Sequence, residues 1–220
     1  NAAAQQVQLD VFGPIADLIA LMAARGAPLT PEHWRLTQAM AAAVQSRWEE
    51  PDHGIWEVRG PRRHHVYTKV MCWQTMDRAI ATADQHQGRI PPGWPELRAK
   101  IAADVLGRGY SETARAFTTA YDSEDLDAAA LHVGLSGLLP PSDPRFIGTV
   151  ERITEFLLEG STVFRYRYDD GLPGREGGFH ICTGWLIESL CLLGRREEAL
   201  GLFQRLQAAA GPLGLMAEQH

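Results

Sequence analysis

Apolar positions along this chain recur at helical rather than strand spacing over most of its length. Between 31 and 49 they fall at Trp34, Leu36, Met40, Ala43, Val44 and Trp48, and near the end at Ala199, Leu202, Phe203 and Leu206. The second set is spaced i, i+3, i+4, i+7, which puts one face of a helix against a core. The pattern predicts helices over 3–25, 31–49, 68–85, 95–106, 126–138, 144–158, 179–193 and 195–209. Gly13-Pro14 is expected to kink the first helix, and Gly26 to stop it. Thr30 is the expected N-cap of the second, with Pro31 at its first position, and Asp143 caps the sixth ahead of Pro144. Strand signal is thin: 162–168 alternates, and 116–121 reads as a short extended piece. The fold class is all-α, read as one helical domain over 1–220.

The connections carry more chemistry than the helices. Helices one and two, five and six, and seven and eight are joined by few residues, which forces antiparallel hairpins. Long loops lie between the pairs, at 50–67, 107–125 and 159–178, with a tail after 210. In an up-down array these loops emerge on one face, where a rigid scaffold presents a site. The first holds Asp52, Trp56, Glu57, Arg59, Arg62, Arg63, His64 and His65. The third holds Arg165, Tyr166, Arg167, Tyr168, Asp170 and Glu176, and the tail holds Glu218. Aromatic faces stack on sugar C–H surfaces, charged groups bind hydroxyls, and glycosidic hydrolysis needs two carboxyl groups.

Composition narrows the classes. The net charge of −6 and the absence of a basic stripe argue against nucleic acid as a partner. Cys72, Cys182 and Cys191 show no CxxC spacing, and nine residues of helix hold the last two roughly 13 Å apart, too far for a disulfide. All three are read as buried thiols of a reducing compartment. No membrane span or leader is visible, so a cytoplasmic location and no membrane partner are expected. His64-His65 has no accompanying ligand set, so neither metal nor cofactor is expected. Trp34, Trp48, Trp73 and Trp185 read as core, and Asp10, Asp77 and Asp127 as buried capping or pairing carboxylates.

Asp52-His53-Gly54-Ile55-Trp56-Glu57-Val58-Arg59-Gly60, followed by Tyr67-Thr68-Lys69 and Asp77-Arg78-Ala79, resembles the acid-bearing block of glycoside hydrolase family 15, the glucoamylase family. Gln5-Gln6-Val7-Gln8-Leu9-Asp10 is similar to the segment before that block. Arg165-Tyr166 through Asp170-Gly171 and Glu176-Gly177 resembles the second substrate-binding loop, and Gly214 to Glu218 the base-bearing loop. The likeness covers nearly the whole chain in the family's order.

The resemblance implies a partial (α/α)6 toroid and an inverting, exo-acting α-glucoside hydrolase that releases glucose from α-glucans or dextrins. Glu57 takes the place of the general acid and Glu218 that of the general base, a pair that stands roughly 6.5–9.5 Å apart in inverting enzymes. Trp56, Arg59, Lys69, Arg167, Asp170 and Glu176 fall at substrate-binding positions. A trehalase of the same family is the alternative substrate reading, and a non-catalytic helical scaffold the alternative of another class. The His64-His65-Val66-Tyr67-Thr68-Lys69 stretch departs from the family pattern, which affects subsite shape. The family's opening hairpins have no counterpart here. The chain is therefore read as a fragment of a larger catalytic domain, inactive by itself and prone to self-association through an open toroid edge.

Overall fold

The computed structural model describes residues 6–58, 60–168 and 177–219. The chain is all-α with two small hairpins, and it divides into two compact units, 1–108 and 109–220.

The first unit is built on α1 (Phe12–Ala24), α2 (Pro31–Arg47), α3 (Val66–Gln87) and α4 (Trp94–Arg108). Helix α3 is the central element, packed by the other three. Its Val70, Met71, Cys72, Met76 and Ala83 are essentially inaccessible to water. Trp48 and Trp73 are buried as expected, whereas Trp34 is half-buried and packs on Trp94, the rings tilted by 46° with centroids 6.3 Å apart. Thr30 precedes α2 with extended backbone, Pro31 opens it, and the Thr30 amide donates to His33 Nδ1 at 3.1 Å. Helix α1 differs from the sequence expectation. It starts only at Phe12, so Gly13-Pro14 forms its first turn and kinks nothing. In a first turn the missing proline N–H has no carbonyl to serve, which makes that the comfortable place for Pro14. Val11, Ile15, Leu18 and Leu21 remain exposed at this end of the unit.

The second unit opens with the hairpin β1 (Tyr110–Ser111) and β2 (Ala116–Phe117). A 3₁₀ turn (Ala128–Leu131) runs into the short α5 (His132–Leu135), where a longer helix was expected. Asp127 caps the turn, its Oδ1 accepting from the Ala129 amide at 2.8 Å, and Gly137 with positive φ ends the segment. Helix α6 (Pro144–Phe156) buries Phe146, Thr149, Val150 and Ile153, the single-face spacing of an amphipathic helix. Asp143 Oδ1 accepts from the Arg145 amide at 2.9 Å, as its N-cap position predicts. After α6 the strands β3 (Leu158–Glu159) and β4 (Thr162–Val163) form a tight hairpin. Only the first two residues of the alternating stretch 162–168 are strand. Helices α7 (His180–Leu192) and α8 (Arg196–Ala208) close the unit as an antiparallel pair, with Leu186, Leu190, Ala199 and Leu202 between them and the rest of the core.

All three cysteines are free thiols. Cys72 and Cys182 are buried, but Cys191 is exposed, against the expectation of three buried thiols. An apolar run such as 179–193 hides which turn of the helix faces out, because both faces of α7 carry hydrophobic residues. Among the described residues no helix is long and apolar enough to cross a membrane.

Candidate active site

The acid candidate sits on a loop whose neck is a small antiparallel ladder. The Asp52 amide donates to the Arg63 carbonyl at 2.9 Å and the Arg63 amide returns the bond at 3.0 Å. Beneath the neck the Asp52 carboxylate is buried and accepts from Thr68 Oγ1 at 2.9 Å and from the Leu9 amide at 3.2 Å. Within the loop, residues 54–57 form a tight turn, the Glu57 amide donating to the Gly54 carbonyl at 3.2 Å. Gly54 holds φ +66°, and a Cβ there would stand 2.9 Å from the His65 ring, so only glycine fits.

Glu57 itself has φ 53°. A non-glycine residue in the left-handed region costs of order 1 kcal/mol or more, and it persists only where the surroundings over-determine it. Here they do. The segment 6–9 runs along the loop and stitches to it. Gln6 Nε2 donates to the Glu57 carbonyl at 3.1 Å, and the Val7 amide to His53 Nδ1 at 2.9 Å. The His53 amide donates back to the Val7 carbonyl at 3.0 Å. The Glu57 side chain is exposed beside the half-buried Trp56.

Lys69 lies one turn into α3 and is almost wholly buried. Its ammonium donates to the carbonyls of Trp48 and of Glu50, the latter at 2.7 Å. Burial pulls its pKa down, while the nearby Asp52 charge acts the other way. It therefore ties the end of α2 to the start of α3 across the entry of the acid loop. It also floors a groove of about 640 Å³ lined by Trp48, Glu49, His64, Lys100, Asp104 and Arg108.

In the second unit, Arg167 projects from the segment after β4. Its guanidinium pairs with Glu159 at 2.8 Å and lies over the Phe164 ring at 4.2 Å. Tyr166 and Tyr168 stack at 4.2 Å between ring centroids. Arg167 and Tyr168 line a groove of about 420 Å³ together with Asp125, Arg152 and Phe156. Arg165, which the sequence reading placed in this loop without giving it a role, is held over the Phe179 ring at 4.5 Å and the Tyr166 ring at 5.0 Å.

Glu218 is delivered by backbone pairing that no sequence pattern announces. Val163, Phe179 and Gln219 bridge in series, so the tail pairs with Phe179, which itself pairs with β4. The His180 amide donates to the Glu218 carbonyl at 3.1 Å, and the Glu218 side chain is exposed. Thus the tail of the chain is fixed at the start of α7. The structure brings Trp56, Glu57 and Lys69 into one unit, and Arg167 and Glu218 into the other. Arg59, Asp170 and Glu176 lie outside the described residues.

Each unit thus presents carboxylates, arginines and aromatic rings on loops carried by helical hairpins. The particular family follows from comparison. The profile "Glycosyl hydrolases family 15" matches residues 1–214, and the chain belongs to that family. It is 39% identical over its whole length to a trehalase of Mycobacterium tuberculosis and 35% identical to a trehalase of Thermoplasma volcanium. It covers 33% and 36% of those proteins, so it spans about a third of their length. Among solved structures, a glycosidase variant in complex with glucose matches 98% of this chain and 57% of its own, with a TM-score of 0.83 at 21% identity. The wild-type glycosidase matches with a TM-score of 0.81. These likenesses place the fold with the partial (α/α)6 architecture that the sequence motifs imply.

Proposed function

We propose that this chain carries the acid- and base-bearing loops of a trehalose-hydrolysing member of family 15. The observation that carries the substrate reading is its likeness, end to end, to trehalases of two distant organisms. In this reading Glu57 is the general acid, protonating the glycosidic oxygen as the bond to the anomeric carbon breaks. Glu218 is the general base, taking a proton from the water that attacks that carbon from the opposite face. Trp56, Arg59, Arg167, Asp170 and Glu176 bind the sugar, and Lys69 supports them through the entry of the acid loop.

Three features support the assignment. Glu57 is held at a strained backbone angle by a loop that is closed at its neck, stitched to the segment 6–9, and buttressed from below by Asp52. Glu218 is fixed by a strand pairing within the last few described residues. Neither carboxylate is engaged in an ion pair among the described residues, which leaves both available for proton transfer.

The test is hydrolysis of trehalose against maltooligosaccharides by the whole catalytic domain of which this chain is read as a fragment, with the released anomers followed by NMR. Inversion at one of the two α-anomeric carbons of trehalose gives one α- and one β-glucose per turnover. Equal early release of both anomers, lost in Glu57→Gln and in Glu218→Gln, is the expected outcome. Two α-glucoses per turnover would exclude the inverting pair. Turnover of maltooligosaccharides in place of trehalose would favour the glucoamylase-type reading, which the family assignment equally accommodates.

A further inference from the structure

The pairing that carries Glu218 contains a rung made by a side chain. Where two antiparallel residues exchange hydrogen bonds, each amide donates to the other's carbonyl. The Phe179 amide does donate to the Val163 carbonyl, at 2.8 Å. The return bond takes a detour. The Val163 amide donates to Thr183 Oγ1 at 3.0 Å, and that hydroxyl donates to the Phe179 carbonyl at 3.2 Å. The same carbonyl also accepts the first helical bond of α7, from the Thr183 amide at 3.1 Å. A hydroxyl can accept and donate at once, which is what a bridge between an amide and a carbonyl needs.

A helical threonine often bonds the carbonyl four residues back, so the contact with Phe179 alone would be ordinary. The bond from Val163 is not, because it comes from another element twenty positions away. Thr183 and Val163 are both sealed from water, so no solvent molecule substitutes for the hydroxyl. The backbones also approach closely. A Cβ on Gly178 would stand 2.3 Å from Thr162 Oγ1, and glycine lets the segment before α7 lie against β4. On its other edge Phe179 bridges to Gln219, and the His180 amide donates to the Glu218 carbonyl at 3.1 Å. Phe179 is therefore the middle member of the pairing, held on one side by Thr183 and holding the tail on the other.

We propose that Thr183 is a positioning residue for Glu218, its hydroxyl fixing Phe179 to β4 and so fixing the backbone that presents the carboxylate. This rests on the reading of Glu218 as general base. The Glu218 side chain is exposed, so its place is set by the backbone that bears it. A base must hold its water against the anomeric carbon, and a misplacement of about 1 Å costs on the order of 10²-fold in rate. Sugar binding by other residues does not depend on that water. A loosened tail therefore lowers kcat and kcat/KM together and leaves KM in place.

Two measurements test it. The first is amide exchange in this chain, followed by NMR at low denaturant. In the wild type the Val163 and His180 amides open in one step. In Thr183→Val, which keeps the shape of the side chain and loses the hydroxyl, His180 exchange accelerates roughly fivefold, the effect of one net hydrogen bond. Thr183→Ser restores it. Separate openings of Val163 and His180 in the wild type overturn the proposal without any variant having to fold, and so does unchanged His180 exchange in Thr183→Val. The second is trehalose hydrolysis by the whole catalytic domain. Thr183→Val lowers kcat about tenfold, a part of the cost of a misplaced group, with KM near the wild-type value, and Thr183→Ser recovers most of it. A Thr183→Val enzyme of lower melting temperature but full kcat per folded molecule would show a merely structural threonine and overturn it. Full activity of Glu218→Gln would sink the reading of Glu218 as base, which the exchange arm does not use.

Discussion

Val7 and His53 hold each other twice. The Val7 amide donates to His53 Nδ1 at 2.9 Å, and the His53 amide donates to the Val7 carbonyl at 3.0 Å. The imidazole imitates a backbone acceptor and extends a strand-like pairing by one bond, which anchors the turn that carries Glu57. His53→Ala removes one of the two bonds, worth about 1 kcal/mol. Amide exchange at Val7 and Val58 should then accelerate roughly fivefold while exchange in α3 stays slow. Equal exchange in variant and wild type would show that the imidazole contributes nothing to the loop.

Lys69→Met tests the buried ammonium. The substitution keeps the length of the side chain but strips the carbonyls of Trp48 and Glu50 of a charged donor. Loss of hydrogen bonds to a charged group, with acceptors left behind, should lower stability by about 3 kcal/mol. Chemical denaturation measures it. A variant as stable as wild type, with only KM raised, would instead mark Lys69 as a direct sugar contact.

Gly134→Ala should be among the most damaging single changes in the second unit. A Cβ at that position would lie 2.3 Å from the Phe146 ring, where α5 meets α6. The ring cannot retreat without opening the core around Val150 and Ile153, both fully buried. A loss of about 2–3 kcal/mol is expected. Gly134→Ala/Phe146→Leu, which makes room, should recover part of it, and failure to do so would place the strain elsewhere.

The pH dependence of stability has a built-in acid limb. His132 is buried with its ring edge-on to Trp185 at 4.7 Å between centroids. Burial depresses its imidazole from 6.5 to about 4. The folded state thus favours the neutral ring, so the stabilisation is complete above 6.5 and drains away as pH falls toward 4. The interval corresponds to about 3 kcal/mol. His132→Leu should flatten the dependence of unfolding free energy on pH between 6.5 and 4. Asp10 contributes the opposite slope in the first unit. Its carboxyl is raised from 3.8 to about 6, so stability is lost there as pH rises through that window.

Most of the helices were legible in the sequence because each answers to local rules. Thr30 with Pro31 and Asp143 with Pro144 announce helix starts, and the spacing of Phe146, Val150 and Ile153 announces a buried face. Where two local rules compete, spacing alone does not decide between them. Gly13-Pro14 signals either a kink within a helix or the start of one, and only the stitching of 6–9 to the loop excluded the longer helix. The segment 126–138 has helical spacing, yet Asp127 caps it as a 3₁₀ turn and Gly137 stops it early.

By itself the sequence determined the helical class and the residue types of the site. It also set the order of the motifs that place the chain in family 15. The tertiary structure alone decided that Glu57 takes a left-handed turn and that the last described residues pair with Phe179 beside Glu218. It alone decided that Asp10 is buried without a donor while Asp77 and Asp127 find theirs. The reason is one of range. Caps and hydrophobic faces are written within a few residues, whereas Gln6 and Glu57, Val7 and His53, and Leu9 and Asp52 stand some forty to fifty positions apart and meet only once the helices pack.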